Sequence, residues 1–311
     1  MEYEDQIKRG IDSKYECLLF DLDDTLYPLT SGLSREVTKN IQEYMIKKLE
    51  MEEEKVPELC VSLYKQYGTT MAGLKVKAII TFFYESRIHL RGDIAIGYNF
   101  DYNEFHEYLS FFPLIFVHGR LPYELLKPDP FLKTLLHSLP IRKVIFTNAD
   151  KNHADIVLNR LGLEDCFEGI ICFETLNPTN EDDSSTDDSN TKIFDYYTCI
   201  TCPDSQLELP SPKVVCKPLE KAYEQVFEMT NINPQKTLFF DDSIRNIQTG
   251  KSMGLHTVWV GTSQQTDSAD YAVESIHNIR QALPELWEAA DEKVDNILHS
   301  REVPVETTVI A

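Results

Sequence analysis

Positive charge is what this chain has least of. Lys and Arg together number 30 against 51 Asp and Glu, a formal net charge of −21 over 311 residues. Nucleic-acid polymers and anionic membrane surfaces select basic patches, so neither is an expected partner. Long apolar runs are missing too, and none approaches the roughly 20 residues a membrane helix requires. The first residues, Met1-Glu2-Tyr3-Glu4-Asp5, are acidic where a secretory leader is basic and then apolar. Cysteine occurs in an odd number, seven, and Cys17, Cys172 and Cys216 fall in stretches expected to be strands, where a thiol packs as a small hydrophobe. These features predict a cytoplasmic, or cytoplasmic and nuclear, location. Cys199 and Cys202 form a CxxC pair without a second pair at zinc spacing, and the pair carries no metal or redox reading. No internal repeat is present.

What the chain does have is a series of short apolar runs that end in polar residues. With 42% hydrophobic residues it can build a sizeable core, in one large domain or two ordinary ones. Cys17-Leu18-Leu19-Phe20 runs into Asp21-Leu22-Asp23-Asp24-Thr25. Val144-Ile145-Phe146 ends in Thr147-Asn148, Val214-Val215-Cys216 ends in Lys217-Pro218, and Leu238-Phe239-Phe240 ends in Asp241-Asp242-Ser243. A fifth run, His256 to Gly261, ends in no ionisable group, and an amphipathic helix from Ile244 to Met253, closed by Gly254, separates the last two. Apolar strand, polar end, helix, next strand is the rhythm of an α/β, doubly wound, Rossmann-like parallel sheet. Such sheets bind their ligands at the C-terminal ends of the strands, where these polar residues would gather. Two carboxylates spaced i, i+2 on a strand point the same way, and together they can hold a hard cation, offer an oxygen nucleophile and move a proton. Read one at a time, each polar end has an ordinary explanation: Asp241 and Asp242 suit a helix N-terminus, and Asp24 reads as part of a turn.

Taken in order, DxDxT at Asp21–Thr25, Thr147-Asn148, Lys217 and DDSxxN at Asp241–Asn246 resemble the haloacid dehalogenase superfamily of phosphohydrolases, from about residue 15 to about residue 297. The longer runs Thr147–Ala154 and Phe240–Ile247 resemble the branch containing pyrimidine 5′-nucleotidases, which also includes plant proteins described as similar to a suppressor of disruption of TFIIS. The resemblance implies a Mg²⁺-dependent phosphomonoesterase that passes through an aspartyl-phosphate, most suited to pyrimidine nucleoside monophosphates. In that scheme Asp21 attacks phosphorus and Asp23 is the acid and then the base. Asp21, the Asp23 carbonyl and Asp242 hold Mg²⁺, and Asp241 holds it through water or positions its neighbour. Lys217 is the third catalytic residue, a second cation beside the metal, and with Thr147 and Asn148 it meets the phosphoryl oxygens. A sugar-phosphate or other metabolite phosphatase or mutase is the alternative with the same core. A catalytically impaired isoform that binds a protein partner is another, although it would not need the proton donor. Carbon–halogen hydrolysis would need neither Asp23 nor the Mg²⁺ set.

The stretch between the first two motifs is too long for one crossover. Leu33, Val37, Ile41, Met45 and Leu49 mark one helix face, Val61, Leu63 and Tyr64 suggest a second helix, and Phe100 to Tyr108 a third. The resemblance makes this region, 31–124, a helical cap inserted between core segments 14–30 and 125–297, with tails at 1–13 and 298–311. An acidic, hydroxyl-rich stretch within 177–212 reads as a mobile loop. Two pieces, 76–94 and 109–116, interrupt the family pattern and are rich in Ile, Leu and Phe, unlike ordinary polar surface insertions. They read as translated non-coding sequence. Deleting both should raise soluble yield and activity together, measured on the purified variant; loss of folding would instead assign them to the working cap.

Overall fold

The apolar tetrapeptide Cys17–Phe20 (β1) is buried along its whole length and lies at the centre of a parallel sheet. The computed structural model describes residues 14–47, 51–70, 72–74, 120–178 and 214–287. The expected extra segments 76–94 and 109–116, the third helix at 100–108, the Cys199/Cys202 pair, both tails and all of the acidic loop beyond residue 178 lie outside these residues.

After β1 come helices α1 (Leu33–Lys47) and α2 (Val56–Tyr67). The rest alternates: α3 (Pro130–His137), β2 (Arg142–Phe146), α4 (Lys151–Leu161), β3 (Gly169–Ile171), a one-turn α5 (Phe173–Leu176), α6 (Glu220–Thr230), β4 (Thr237–Asp241), α7 (Ile244–Ser252), β5 (His256–Val260), β6 (Tyr271–Val273) and a one-turn α8 (Ile279–Ala282). The strands pair in the order β3-β2-β1-β4-β5-β6, all parallel. This is the doubly wound, Rossmann-like order, and its direction reverses between β1 and β4, the point where such sheets open a crevice for a ligand.

A parallel sheet covered on both faces needs strands that are apolar at every position, which is why β1 and β4 read as unbroken hydrophobic runs. Leu18 and Phe20 face one layer with Leu238, Phe240 and Ile145, packed under α3, α4 and the C-terminal Ile276–Trp287 segment. Cys17, Leu19, Phe239, Val144 and Phe146 face the other, under α6 and α7. Phe20 and Phe240 stack at 4.5 Å across the β1–β4 pair, and on the opposite side Tyr223 meets both Phe146 and Phe239 edge to face. The helices between β1 and β2 have a small core of their own, in which Met45, Val56, Cys60, Leu63 and Leu74 come together.

Three expectations change in detail. Val214–Cys216 is not a strand. It is an irregular segment whose main chain is satisfied by a side chain: the Val215 N–H donates to Asn177 Oδ1, and Asn177 Nδ2 donates to the Val215 carbonyl, each at 2.8 Å. Cys172 likewise lies just past β3, so of the three cysteines placed in strands only Cys17 is in one, although all three are buried. On α2 the buried face is Val56, Cys60 and Leu63, while Val61 and Tyr64 are exposed. The helix expected from Ile244 to Met253 is α7, with Met253 at its end and Gly254 at φ +90° beyond it.

Candidate active site

Strand geometry brings the polar ends together. The Asp21 N–H donates to the Phe240 carbonyl at 2.8 Å, so the β1–β4 ladder continues one residue into the motif and delivers Asp21 beside Asp241 at the reversal point of the sheet. Lys217 reaches the same place from the irregular segment, held by Asn148, whose side chain accepts from the Lys217 N–H at 2.8 Å and donates to its carbonyl at 2.9 Å. The Lys217 ammonium is 1% exposed and donates to Asp21 Oδ1 at 2.7 Å, Asp241 Oδ2 at 2.8 Å and the Phe146 carbonyl at 2.7 Å. Those three acceptors match the three protons of an ammonium group.

The resemblance gives Lys217 and Asn148 to the phosphoryl oxygens. In this structure the ammonium meets three protein acceptors and the Asn148 amide holds the Lys217 main chain. Thr147 is buried at the end of β2, with its hydroxyl accepting from the Ala149 N–H at 3.0 Å. Thr25 donates to Asp21 Oδ2 at 3.2 Å and accepts from the Asp242 N–H at 3.1 Å, which ties the first motif to the last. Asp24 adopts φ 57° and accepts from Ser34 at 2.6 Å, linking the turn to the start of α1, as befits a structural residue.

The two acids after β4 differ. Asp241 is fully buried and saturated: besides Lys217 it accepts from the Ser243 N–H at 2.8 Å and from Asn246 Nδ2 at 3.0 and 3.1 Å. Among the described residues no hydrogen-bond donor or cation meets the Asp242 carboxylate. Oxygens of Asp21, Asp241 and Asp242 nevertheless lie within 4.8 Å of one another. Three carboxylates against one ammonium leave excess negative charge in a dry place. Burial, then the neighbouring Asp241 and Asp21, pushes Asp242 up to about 9. Burial also pushes Asp21 up to about 7, against the pull of Lys217 and with the help of Asp241 and Asp23. Lys217 is itself raised: burial pulls it down, and the charges of Asp21 and Asp241 outweigh that. A half-buried carboxylate that no described donor meets, beside a buried one, is a donor set that suits a hard, oxygen-seeking divalent cation. Asp21 and Asp242 fit that description, and Asp241, with its oxygens already occupied, fits it less well.

A model of the haloacid dehalogenase-like hydrolase family matches residues 15–254, the span that holds all of these residues. The chain belongs to this family. It is similar to phosphate metabolism protein 8 of Saccharomyces cerevisiae, at 23% identity over 281 residues, covering 87% of this chain and 69% of the yeast protein. Among solved structures it is similar to the magnesium-bound HAD-hydrolase YfnB of Bacillus subtilis (TM-score 0.47, 15% identity, 86% of this chain and 98% of that one). It is also similar to CbbY of Rhodobacter sphaeroides in complex with phosphate (TM-score 0.47, 14% identity, 88% and 99%). No helix among the described residues of the hydrolase is long and apolar enough to cross a membrane.

Asp23 sits at the rim, its side chain 32% exposed, and is held from behind. Tyr27 donates to Asp23 Oδ1, and His153 Nε2 lies 2.8 Å from the same oxygen. The other imidazole nitrogen, Nδ1, lies 2.8 Å from the Tyr123 hydroxyl. Burial pulls the His153 imidazolium down, but the charge and hydrogen bond of Asp23 hold it above its ordinary value. Sequence reasoning assigned no role to His153 or Tyr123, and placed Tyr27 only at the start of a hinge, Tyr27 to Leu33, that helps to choose the substrate. The one local signal is the position of His153 three residues after Asp150, whose side chain accepts the His153 N–H at 2.8 Å and caps α4. That turn aims the ring back at the first motif.

The helices after β1 touch this hydrolase core where Lys217 lies. Arg245 donates to the carbonyls of Tyr64 (3.1 Å) and Lys65 (2.9 Å) at the end of α2, and its guanidinium lies 5.4 Å from the Tyr64 ring centre. Gly68, at φ +86°, follows at such close range that a Cβ there would stand 2.4 Å from the Lys217 carbonyl oxygen. Gly32 has the same φ with nothing within 4 Å. Gly32→Ala should therefore cost only the left-handed backbone term, about 1–2 kcal/mol. Gly68→Ala should cost more and also lower activity, because the Lys217 carbonyl must move. Urea denaturation and activity assays of the pair check this; equal losses would mean that the close approach to Lys217 has no consequence.

Proposed function

We propose that this hydrolase is a Mg²⁺-dependent phosphomonoesterase that works through an aspartyl-phosphate, with a nucleoside monophosphate, pyrimidine in preference, as substrate. The observation that carries the reading is the pairing of a buried Asp21, oriented by Lys217 and Thr25, with a rim-exposed Asp23 two residues on, held by donors of its own. One carboxylate is fixed for attack and the other faces outward where a leaving group must depart. The name of the yeast relative, phosphate metabolism protein 8, and the motif order support the phosphate ester; the runs Thr147–Ala154 and Phe240–Ile247 support the nucleotide.

Asp21, the Asp23 carbonyl and Asp242 would hold Mg²⁺, which when bound supplies the positive charge that lets a dianionic phosphate come up to a carboxylate. Lys217 keeps Asp21 aligned and, by taking Asp241 as well, keeps that carboxylate away from the phosphoryl group. An Asp21 oxygen forms the new bond to phosphorus while the ester oxygen leaves with the proton of Asp23. Asp23, now ionised, takes a proton from water as that water attacks phosphorus, the bond to Asp21 breaks, and both carboxyl groups return to their starting states. Thr147, at the end of β2, borders the phosphoryl site. The helices around α1 and α2 act as a cap over the strand ends, excluding water and contacting the leaving group, and they set substrate choice.

Purified protein with Mg²⁺ should hydrolyse phosphomonoesters in a screen of nucleotides, sugar phosphates, phosphoglycolate and pyridoxal phosphate, with pyrimidine nucleoside monophosphates turned over best. Asp21→Asn should abolish this activity, and Asp23→Asn should lower it by roughly 10²–10⁴-fold, the usual worth of general acid–base catalysis. Near-wild-type turnover by Asp21→Asn would refute the assignment, and a sugar phosphate as the best substrate would move the reading to the alternative class.

A further inference from the structure

We propose that His153 and Tyr123 are positioning residues for proton transfer by Asp23, forming with Tyr27 a relay that decides which carboxyl oxygen carries the catalytic proton. This rests on the phosphatase reading above. His153 is buried to 1% exposure on the first turn of α4, and Tyr123, in the short 3₁₀ turn before α3, is buried too. His153 meets Asp23 directly, and Tyr123 meets His153.

In the state poised for catalysis Asp23 holds its acid proton, so the charge that raises His153 is absent and the imidazole is neutral. A tyrosine hydroxyl donates one proton and imidazole in its neutral form has one donor and one acceptor nitrogen. The Tyr123 hydroxyl, 2.8 Å from Nδ1, is assigned as its donor, which places the proton of the ring on Nε2. Nε2 then donates to Asp23 Oδ1, at 2.8 Å, as does the Tyr27 hydroxyl. Two donors converging on Oδ1 leave the acid proton of Asp23 on Oδ2, and they hold the carboxyl plane so that this proton is presented in one direction. When the proton leaves, the same two donors stabilise the charge on Oδ1. Replace Tyr123 with Phe, and Nδ1 loses its donor. The ring can then carry its proton on Nδ1 and turn Nε2 into an acceptor, which draws the Asp23 proton back toward the interior and away from the leaving group. A carboxyl group held this way is a second layer of positioning behind a catalytic residue, comparable to the support that orients a metal-bound histidine.

Such a role has a signature that packing does not. The quantity kcat/KM covers events up to formation of the phosphoenzyme, and protonation of the leaving oxygen matters there in proportion to how poor a leaving group it is. Tyr123→Phe should therefore lower kcat/KM for an alkyl phosphate by roughly 10–100-fold while changing it for 2,4-dinitrophenyl phosphate by no more than about threefold, a part of the usual worth of a general acid. His153→Leu should steepen the dependence on leaving-group acidity in the same way, and His153→Gln, whose amide can still donate to Oδ1, should recover part of it. Equal losses on the two esters, or none on either, in the conservative Tyr123→Phe variant would overturn the inference. A wild-type protein inactive on both esters would overturn the phosphatase reading and this inference with it, whereas an active wild type with uniform losses would overturn this inference alone.

Discussion

The Lys217 ammonium is the contact on which the rest of the site depends. Burying a lone charge costs several kcal/mol, and removing one partner of a buried ion pair typically costs about 3–5 kcal/mol because the remaining charge is left uncompensated. Here one cation, 1% exposed, is divided between two carboxylates and a main-chain carbonyl from three different strands' ends: Asp21 after β1, Phe146 at the end of β2 and Asp241 at the end of β4. It therefore fastens the C-terminal edge of the sheet at the place where its winding reverses. It also sets the charge balance, since it pairs with Asp21 and Asp241 and not with Asp242.

The remaining elements serve that arrangement. Asn148 fixes the main chain of Lys217, Asn246 and the Ser243 N–H fill Asp241, and Thr25 bridges Asp21 to the Asp242 main chain. Each hydrogen bond is modest on its own, about 1 kcal/mol net. Their joint effect is to leave the pocket few ways to rearrange. Arg245 and Gly68 bring the end of α2 against the same segment, so the helices inserted after β1 rest on the residues that carry the charge.

How much of this could be read from sequence depends on the range of the interaction. The apolar runs at Cys17, Val144, Leu238 and His256 are strands, and Asp21, Thr147, Asp241 and Asp242 lie at or just past strand ends, because full burial in a parallel sheet forces a local pattern that anyone can see. Val214–Cys216 has the same apolar composition but pairs with the Asn177 side chain instead of a strand, and no local signal distinguishes the two cases. The strands β3 and β6, three residues each, are too short to show a pattern, and only the first was expected. Asp23 was legible and its support was not. His153 and Tyr123 reach it over separations of 130 and, through His153, 30 residues, and a lone histidine or tyrosine in an apolar stretch looks like core.

The central claim is that Asp21, aligned by Lys217, becomes covalently phosphorylated during turnover. Rapid mixing with a phosphomonoester and Mg²⁺, acid quenching within a single turnover and mass-spectrometric mapping of the adduct test it directly. The account predicts one phosphoryl group on the peptide containing Asp21, transient, labile to base and missing from Asp21→Asn. Turnover without any adduct on that peptide, or with the adduct on another residue, would contradict it.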